Sequence, residues 1–229
     1  MPSITRLTGN DFQSCVNALA ALLLDAIDDD ASLGFLAPVD QDTATRWWHS
    51  RRDAVDCGDL MVWAARGPDD AITGTVSLAL ERKANGRHRA EITKLIVHRA
   101  ARGNGLARAL LATAEHAAAG AAITLLLLDT QTASPAEGLY NNTGWTRYGI
   151  VPQYAADPDG ILRNGSFYYK NLAERSPVPF GTVVATVPSY DGHPYRVEES
   201  PREGVTTAEG TLALAVHLPA VAGTGESDA

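Results

Sequence analysis

Cysteine is scarce in these 229 residues. Cys15 and Cys57 are the only two, too few for a disulfide framework or a cysteine-built metal cluster, and they read as buried thiols. No apolar run approaches the roughly 20 residues that a membrane-spanning helix needs. The longest, residues 123–128 with an alanine lead-in, suits a buried strand. No basic segment followed by a hydrophobic stretch occurs near Met1, so no secretory signal is expected. His49, His88, His98, His116, His193 and His217 lack ligand spacing, and neither a His-Glu-x-x-His motif nor a nucleophile elbow is present. Positive charge is short as well: 19 Lys and Arg against 27 Asp and Glu leave a net −8. That balance argues against nucleic acid or an anionic membrane as the main partner and favours a small or cationic one, such as an amine. These absences predict a cytoplasmic protein without a metal. A hydrophobic fraction of 45% fits an ordinary globular core.

What is present is a regular alternation of strand and helix signals. Residues 4–7 read as a strand. Thr8 and Asp11 form a capping pair, after which Phe12, Cys15, Val16, Leu19, Leu23 and Ile27 recur at helical spacing. A second helix is expected over residues 43–55. There Trp47 and Trp48 lie beside Arg46, Arg51 and Arg52, and an amphipathic helix burying one tryptophan explains the cluster, with Trp48 as a wall of an acceptor pocket. Strands follow over 59–65 and 72–80, joined through Gly67-Pro68-Asp69-Asp70, and over 89–97 after Asn85-Gly86. A glycine-rich turn then opens a helix with the apolar face Leu106, Leu110, Ala114 and Ala117. An apolar strand at 123–128, a short helix from Pro135 ended by Gly144, and strands at 145–151 and 167–172 complete the series.

The order β-α-α-β-β-β-α-β-α-β-β predicts an α/β fold, a mixed central sheet flanked by helices. After Leu172 the texture changes to six prolines and no lysine, with β-like runs at 182–187 and 211–218. The expected organisation is a main domain at 1–172, a β-rich C-terminal extension at 173–222 and a loose tail at 223–229. Two strands alone are marginal, so the extension should lean on the main domain or on another subunit, as in a homodimer.

The turn Arg102-Gly103-Asn104-Gly105-Leu106-Ala107 carries the most specific chemistry. A strand, a glycine-rich turn and a helix start leave backbone N–H groups unpaired, and the helix dipole adds partial positive charge. Gly103 and Gly105 allow close approach of a phosphate. A P-loop would need Lys and Ser or Thr where Leu106-Ala107 stand, and a dinucleotide fingerprint would need a third glycine where Arg108 stands. The remaining pattern, Arg-x-x-Gly-x-Ala from Arg102 to Ala107, resembles the acyl-CoA pyrophosphate signature of the GNAT N-acetyltransferases. Gly138-Leu139-Tyr140-Asn141-Asn142-Thr143-Gly144-Trp145 matches that family's Tyr, three residues, Gly and an aromatic, and the element order is also that of the GNAT fold.

The resemblance implies acetyl-CoA as cofactor and an N-acetyltransferase reaction without metal or covalent intermediate. Backbone groups of Leu95, Ile96 and Val97 would meet the pantetheine arm, and Arg102, Gly103, Asn104, Gly105, Leu106 and Ala107 the pyrophosphate. Tyr140 would return a proton to the thiolate. Glu91 precedes the turn in its strand, and by alternation it shares a face with Thr93, Leu95 and Val97 unless a bulge shifts the count. Asp129 follows the apolar run 125–128 at the carboxyl end of its strand, where ligands gather in open α/β sheets. If those strands are neighbours, the two carboxylates share a cleft. The segments Ala31-Ser32-x-Gly34-Phe35, Ala90-Glu91-x-x-Lys94-Leu95, Leu128-Asp129-Thr130 and Pro158-Asp159-Gly160 resemble a branch of the family that acetylates the amino group of an amino-acid toxin. In that branch the acids matching Glu91 and Asp129 handle catalysis and substrate. Many GNAT members carry an asparagine seven residues before the tyrosine, where Ala133 stands here. The expected function is acetylation of a small amino-acid-like amine, as in antibiotic resistance. A CoA sensor without turnover and an acetyltransferase for protein N-termini or lysines are the alternatives.

Overall fold

Helical spacing of apolar side chains gives the longest helix its place. The stripe Phe12, Cys15, Val16, Leu19, Leu23 and Ile27 is buried along α1 (Gly9–Ile27), against the sheet and a short helix, α2 (Gln41–His49). The computed structural model describes residues 3–67, 69–172, 185–188 and 194–197. The chain divides into two units, Met1–Glu174 and Arg175–Ala229. Beside α1 and α2, the first contains β1 (Ser3–Leu7), α3 (Arg52–Asp56), β2 (Leu60–Arg66), β3 (Ile72–Leu80), β4 (Arg89–Val97), α4 (Leu106–Gly120), β5 (Leu125–Gln131), α5 (Pro135–Asn141), β6 (Thr146–Ala156) and β7 (Leu162–Asn171). The second is described only as a hairpin of β8 (Ala185–Pro188) and β9 (Pro194–Val197). The expected strand at 211–218, the tail at 223–229 and residues 182–184 lie outside the described residues.

Seven strands form one sheet in the order β1-β2-β3-β4-β5-β7-β6. Only β4 and β5 run parallel; every other neighbour is antiparallel. The sheet is therefore mixed and covered on both faces, as expected. On one face α1, Ala44 and Trp48 pack over Val62, Ala64 and Ile96. On the other, Leu106, Leu110, Leu111 and Ala114 of α4 and Tyr140 of α5 pack over Val76, Leu78, Ala90, Ile92, Leu126 and Leu128. Among the described residues no helix is long and apolar enough to cross a membrane.

Several expectations need correction. The helix expected over 43–55 is two helices: Ser50 Oγ donates to Trp47 O at 2.7 Å and Arg51 N to Trp48 O at 2.9 Å, a local bonding pattern that ends α2 before α3 begins. Thr8 makes no side-chain cap; its carbonyl accepts from Asp11 N at 2.8 Å instead. Of the two thiols only Cys15 is buried, and Cys57 is exposed. β5 continues to Gln131 because β7 pairs along its whole length, so Asp129 lies within the strand rather than after it. β6 and β7 extend well past the expected limits to a turn at Asp157-Pro158-Asp159-Gly160. Asp157 fastens that turn by accepting from Ile161 N at 2.9 Å and Arg163 Nε at 2.7 Å.

Trp48 is fully buried against Phe12, ring centroids 6.2 Å apart, whereas Trp47 is half-buried. Trp48→Ala should therefore cost about 3–5 kcal/mol of unfolding free energy in urea titrations, and Trp47→Ala less than half of that. Equal losses would contradict the packing described.

Candidate active site

The site begins where the two parallel strands part. β4 and β5 pair only at Arg89 with Leu125, Ala90 with Leu126 and Glu91 with Leu127. Beyond Glu91 the edge of β4 that faces away from β3 has no strand partner among the described residues, and its backbone groups need other partners. A bulge lies in this stretch. The register on β3 moves from Thr75–Ile96 to Ser77–Thr93, placing one extra residue in β4, and Lys94 takes φ +50°.

The bulge reverses the faces. Ala90 and Ile92 belong to the core under α4, Ile96 to the core under α1, and Leu95 and Val97 pack toward α4. Glu91 thus shares its face with Thr93 but not with Leu95 and Val97, correcting the simple alternation. Asp129 does share it: Leu126 and Leu128 enter the α4 core, so Leu127 and Asp129 point to the opposite side, where the parallel partner of Leu127 is Glu91.

The two acids lie close enough to feel each other. Both residues are exposed, yet the protein packed around each carboxyl withholds part of its water and raises its pKa. Asp129 raises Glu91 further, and Lys94 opposes the rise in both. The Lys94 ammonium is itself destabilised by burial, with the two carboxylates restoring part of its charge and Arg51 opposing them. Lys94 Nζ donates to Leu33 O at 3.0 Å and sits 5.0 Å from the centroid of Trp47; the guanidinium of Arg51 lies 5.2 Å from the same ring. Trp47, edge-on to Phe35 at 5.7 Å, is therefore the tryptophan beside the acids, and the expectation for Trp48 is overturned because that ring fills the core.

The loop at 31–38 is fastened over this face. Ala37 N donates to Pro158 O at 2.8 Å and Ser32 Oγ to Ala156 O at 3.4 Å, tying the loop to the β6–β7 turn, while Leu33 O is held by Lys94.

Past the parted strands, the turn at 102–107 leads into α4. Gly103 and Gly105 take φ +81° and +76°, a conformation that excludes most side chains without strain, and Gly105 occupies the N-cap. Among the described residues no carbonyl or side chain accepts from the N–H groups of residues 103–108, and the first turn of α4 carries no acid. Residues 102–105 are exposed, so no side chain plugs the turn. The side chain of Arg102 braces it instead: Nε donates to Val97 O at 3.1 Å and the guanidinium pairs with Asp29. Asn104 Nδ2 donates weakly to Arg102 O at 3.4 Å. Leu106 and Ile96 are buried, so they can offer a ligand only their backbone, and Ala107, Leu95 and Val97 are half-buried. Free donors beside an unpaired strand edge fit a diphosphate followed by an amide-bearing arm.

Tyr140 is buried under α5, with ring centroids 6.0 Å from Trp145 and 5.6 Å from Tyr168, and its hydroxyl has no hydrogen-bond partner among the described residues. Its carbonyl accepts from Thr143 N at 3.1 Å and Trp145 N at 3.3 Å, and Gly144 takes φ +81°. That geometry accounts for the Tyr, three residues, Gly and aromatic spacing as a helix end. Burial, then Asp129 and Tyr168, push the phenol up, which favours its protonated form. Ala133 takes φ +64°, which asparagine tolerates better than alanine, and its N–H is held by Glu137 Oε2 at 2.8 Å.

Sequence reasoning missed Trp47 as a site group, and it offered Lys94 only as an ion-pair partner for either acid. Lys94 did stand in the Glu91-x-x-Lys94 pattern, but only the bulge shows that it joins the acids.

The acetyltransferase (GNAT) family model matches residues 23–145, a span that contains β4, the glycine turn, α4, β5 and α5. Among solved structures, an N-acetyltransferase from Staphylococcus aureus Mu50 has a TM-score of 0.63 at 16% identity, covering 76% of this chain and 99% of that one. A protein provisionally described as a phosphinothricin N-acetyltransferase has a TM-score of 0.62 at 18% identity, covering 75% and 100%. The Salmonella typhimurium protein yncA, provisionally described as an acetyltransferase and solved with its cofactor acetyl-CoA, has a TM-score of 0.61 at 19% identity, covering 78% and 98%. At these identities the likeness is one of fold. The family match is more specific, and with it the chain belongs to the acetyltransferase (GNAT) family, whose members take their acetyl group from acetyl-CoA.

Proposed function

We propose that this acetyltransferase acts on the amino group of a small, amino-acid-like acceptor. The observation that carries the reading is the loop at 31–38, held to Ala156, Pro158 and Lys94 over the face that bears both acids. A loop anchored at three places leaves room for a small amine and disfavours a groove for a polypeptide. The quoted segments around Ser32, Glu91, Asp129 and Asp159 resemble the tabtoxin resistance protein, so the physiological role we propose is detoxification of a toxin or antibiotic. Residues 1–172 would carry the activity, in the cytoplasm; the role of residues 173–222 as a β-rich extension, and a homodimer, belong to the same reading.

Acetyl-CoA supplies the thioester carbon that the amine attacks. The N–H groups of residues 103–108 and the dipole of α4 hold its pyrophosphate, and the arm lies along β4 at Leu95, Ile96 and Val97, bonding to the backbone groups that β3 and Arg102 leave open. Asp129 orients the acceptor ammonium, and Glu91 takes its proton, directly or through one water. The raised carboxyl of Glu91 makes it a better base than an ordinary glutamate, which is the reason for placing two acids and restricted water together. As the new C–N bond forms and the C–S bond breaks, Tyr140 donates its O–H to the departing sulfur, and the second proton shed by the nitrogen returns to the Tyr140 oxygen, directly or through water. Lys94 moderates the repulsion between the acids.

Release of free thiol from acetyl-CoA in the presence of an amine panel tests the reading. Glu91→Gln should lower kcat by about 10²–10⁴-fold with the KM for acetyl-CoA nearly unchanged; a loss confined to cofactor affinity would contradict the role. Tyr140→Phe should also act mainly on kcat.

The pH dependence has a definite sign. A base with a raised pKa loses activity as pH falls through that raised value, so the acidic limb of kcat/KM should lie above the ordinary carboxylate range. Asp129→Asn removes the like charge and should move the limb to lower pH. Lys94→Gln removes the opposing charge and should move it to higher pH. Shifts in the opposite directions would show that another group titrates.

A further inference from the structure

β6 is an edge strand of the sheet, and it departs from regular pairing at two places: a one-residue bulge between Arg147 and Gly149, and a larger excursion between Val151 and Ala155. Its register on β7 moves from Val151–Gly165 to Ala155–Arg163, so four steps along β6 span two along β7. Gln153 takes φ +52° within this excursion, and its N–H donates to Asn164 Oδ1 at 3.1 Å. The residue that the excursion presents is Tyr154.

Three facts place the Tyr154 ring. It meets Phe167 edge-on, with centroids 4.8 Å apart. A Cβ built on Gly165 would lie 2.6–2.9 Å from its Cδ1, Cγ and Cβ, so the ring rests on bare β7 backbone that only glycine provides. Phe167 pairs directly with Asp129, and Gly165 with Gln131. Directly paired antiparallel residues share a face, so the ring lies on the side of the sheet that carries Asp129 and Glu91. The charge of Asp129, then burial and the charge of Glu91, hold its phenol protonated, which agrees with that position. The side chain nevertheless remains 48% exposed. The chemistry above gives it no task.

We propose that Tyr154 is an acceptor-specificity residue, its ring forming the wall against which the acceptor's carbon skeleton lies beside the two carboxylates, with Gly165 as the position that lets it lie there. This rests on the small-amine reading. The acceptor class it fits is a primary amine on a short, slender skeleton, whose ammonium gains from an aromatic face while its carbons cover the ring. The role is one of binding; the proton stays with Glu91.

The test uses the full chain and thiol release with α-amino acids, phosphinothricin and short alkylamines as acceptors. For the amine that the wild type uses best, Tyr154→Ala should raise the acceptor KM about tenfold or more and leave the KM for acetyl-CoA within about twofold. The same variant should gain on bulkier amines relative to slender ones. Tyr154→Phe, which keeps the ring, should recover most of the lost acceptor affinity. Gly165→Ala, whose methyl displaces the ring, should reproduce Tyr154→Ala; if it fails to fold, the two Tyr154 variants decide. An unchanged acceptor KM in Tyr154→Ala, or both KM values rising together, would overturn the proposal while leaving the small-amine reading intact. A wild type that turns over none of the amines would overturn that reading, and this proposal with it.

Discussion

One constraint organises the site: β4 cannot remain paired to both of its neighbours. It stays with β3 throughout, but its parallel bonds to β5 end at Glu91, and the extra residue at Lys94 turns the remainder of the strand over. Paired backbone is the rule in a buried sheet, so the backbone groups of β4 beyond Glu91 that face away from β3, apart from Val97 O, which accepts from Arg102, call for a ligand that can bond to main chain. The same parting places the turn at 102–107, with its unclaimed N–H groups, at the end of that edge. It also fixes Glu91 and Asp129 on one face, since both lie before or outside the bulge. The same sequence in a regular, unbulged β4 would keep Leu95 and Val97 on the face of Glu91, and Ile96 would leave the α1 core.

The charges there are arranged for reactivity at some expense to stability. Two carboxylates brought together in restricted water resist ionisation, and Lys94 offsets only part of that resistance. Because their pKa values rise on folding, their ionisation opposes the folded state once pH exceeds the ordinary carboxylate range; below it the effect vanishes. Stable regions elsewhere balance this. Glu115 accepts from Trp145 Nε1 at 2.8 Å and Lys170 Nζ at 2.7 Å, joining α4, β6 and β7, and Asp25 accepts from Arg99 Nε at 2.6 Å near the glycine turn. The chemistry thus sits among loops and a bulge supported by conventional packing.

Much of this was legible in the residues. The limits of β3 and β4 follow from apolar runs bounded by turn signals, and the start of α4 from Gly105 and Leu106. A shared cleft for Glu91 and Asp129 was legible only on the condition that their strands are neighbours, which the β4–β5 pairing supplies. The bulge was hidden because Leu95-Ile96-Val97 is apolar throughout, so a change of face leaves no mark in the pattern. The far ends of β6 and β7 were hidden for a different reason: both faces of β6 are largely exposed, and without a buried face a strand loses its alternation. Adjacent tryptophans offered a clearer signal than was used, since Ala44 and Trp48 are four residues apart and both enter the core. Gly165 fell outside the expected strand at 167–172; its purpose appears once Tyr154 is seen lying on it.

The central claim is that free main-chain donors at 103–108, together with the edge of β4, hold the CoA portion of the donor. Backbone amide chemical shifts followed during a CoA titration test it most directly. The largest changes should fall on residues 95–97 and 103–108, with smaller ones at the more distant Trp48 and Cys15. Saturable binding that moved other amides and left those of Gly103, Gly105 and Ala107 in place would contradict it.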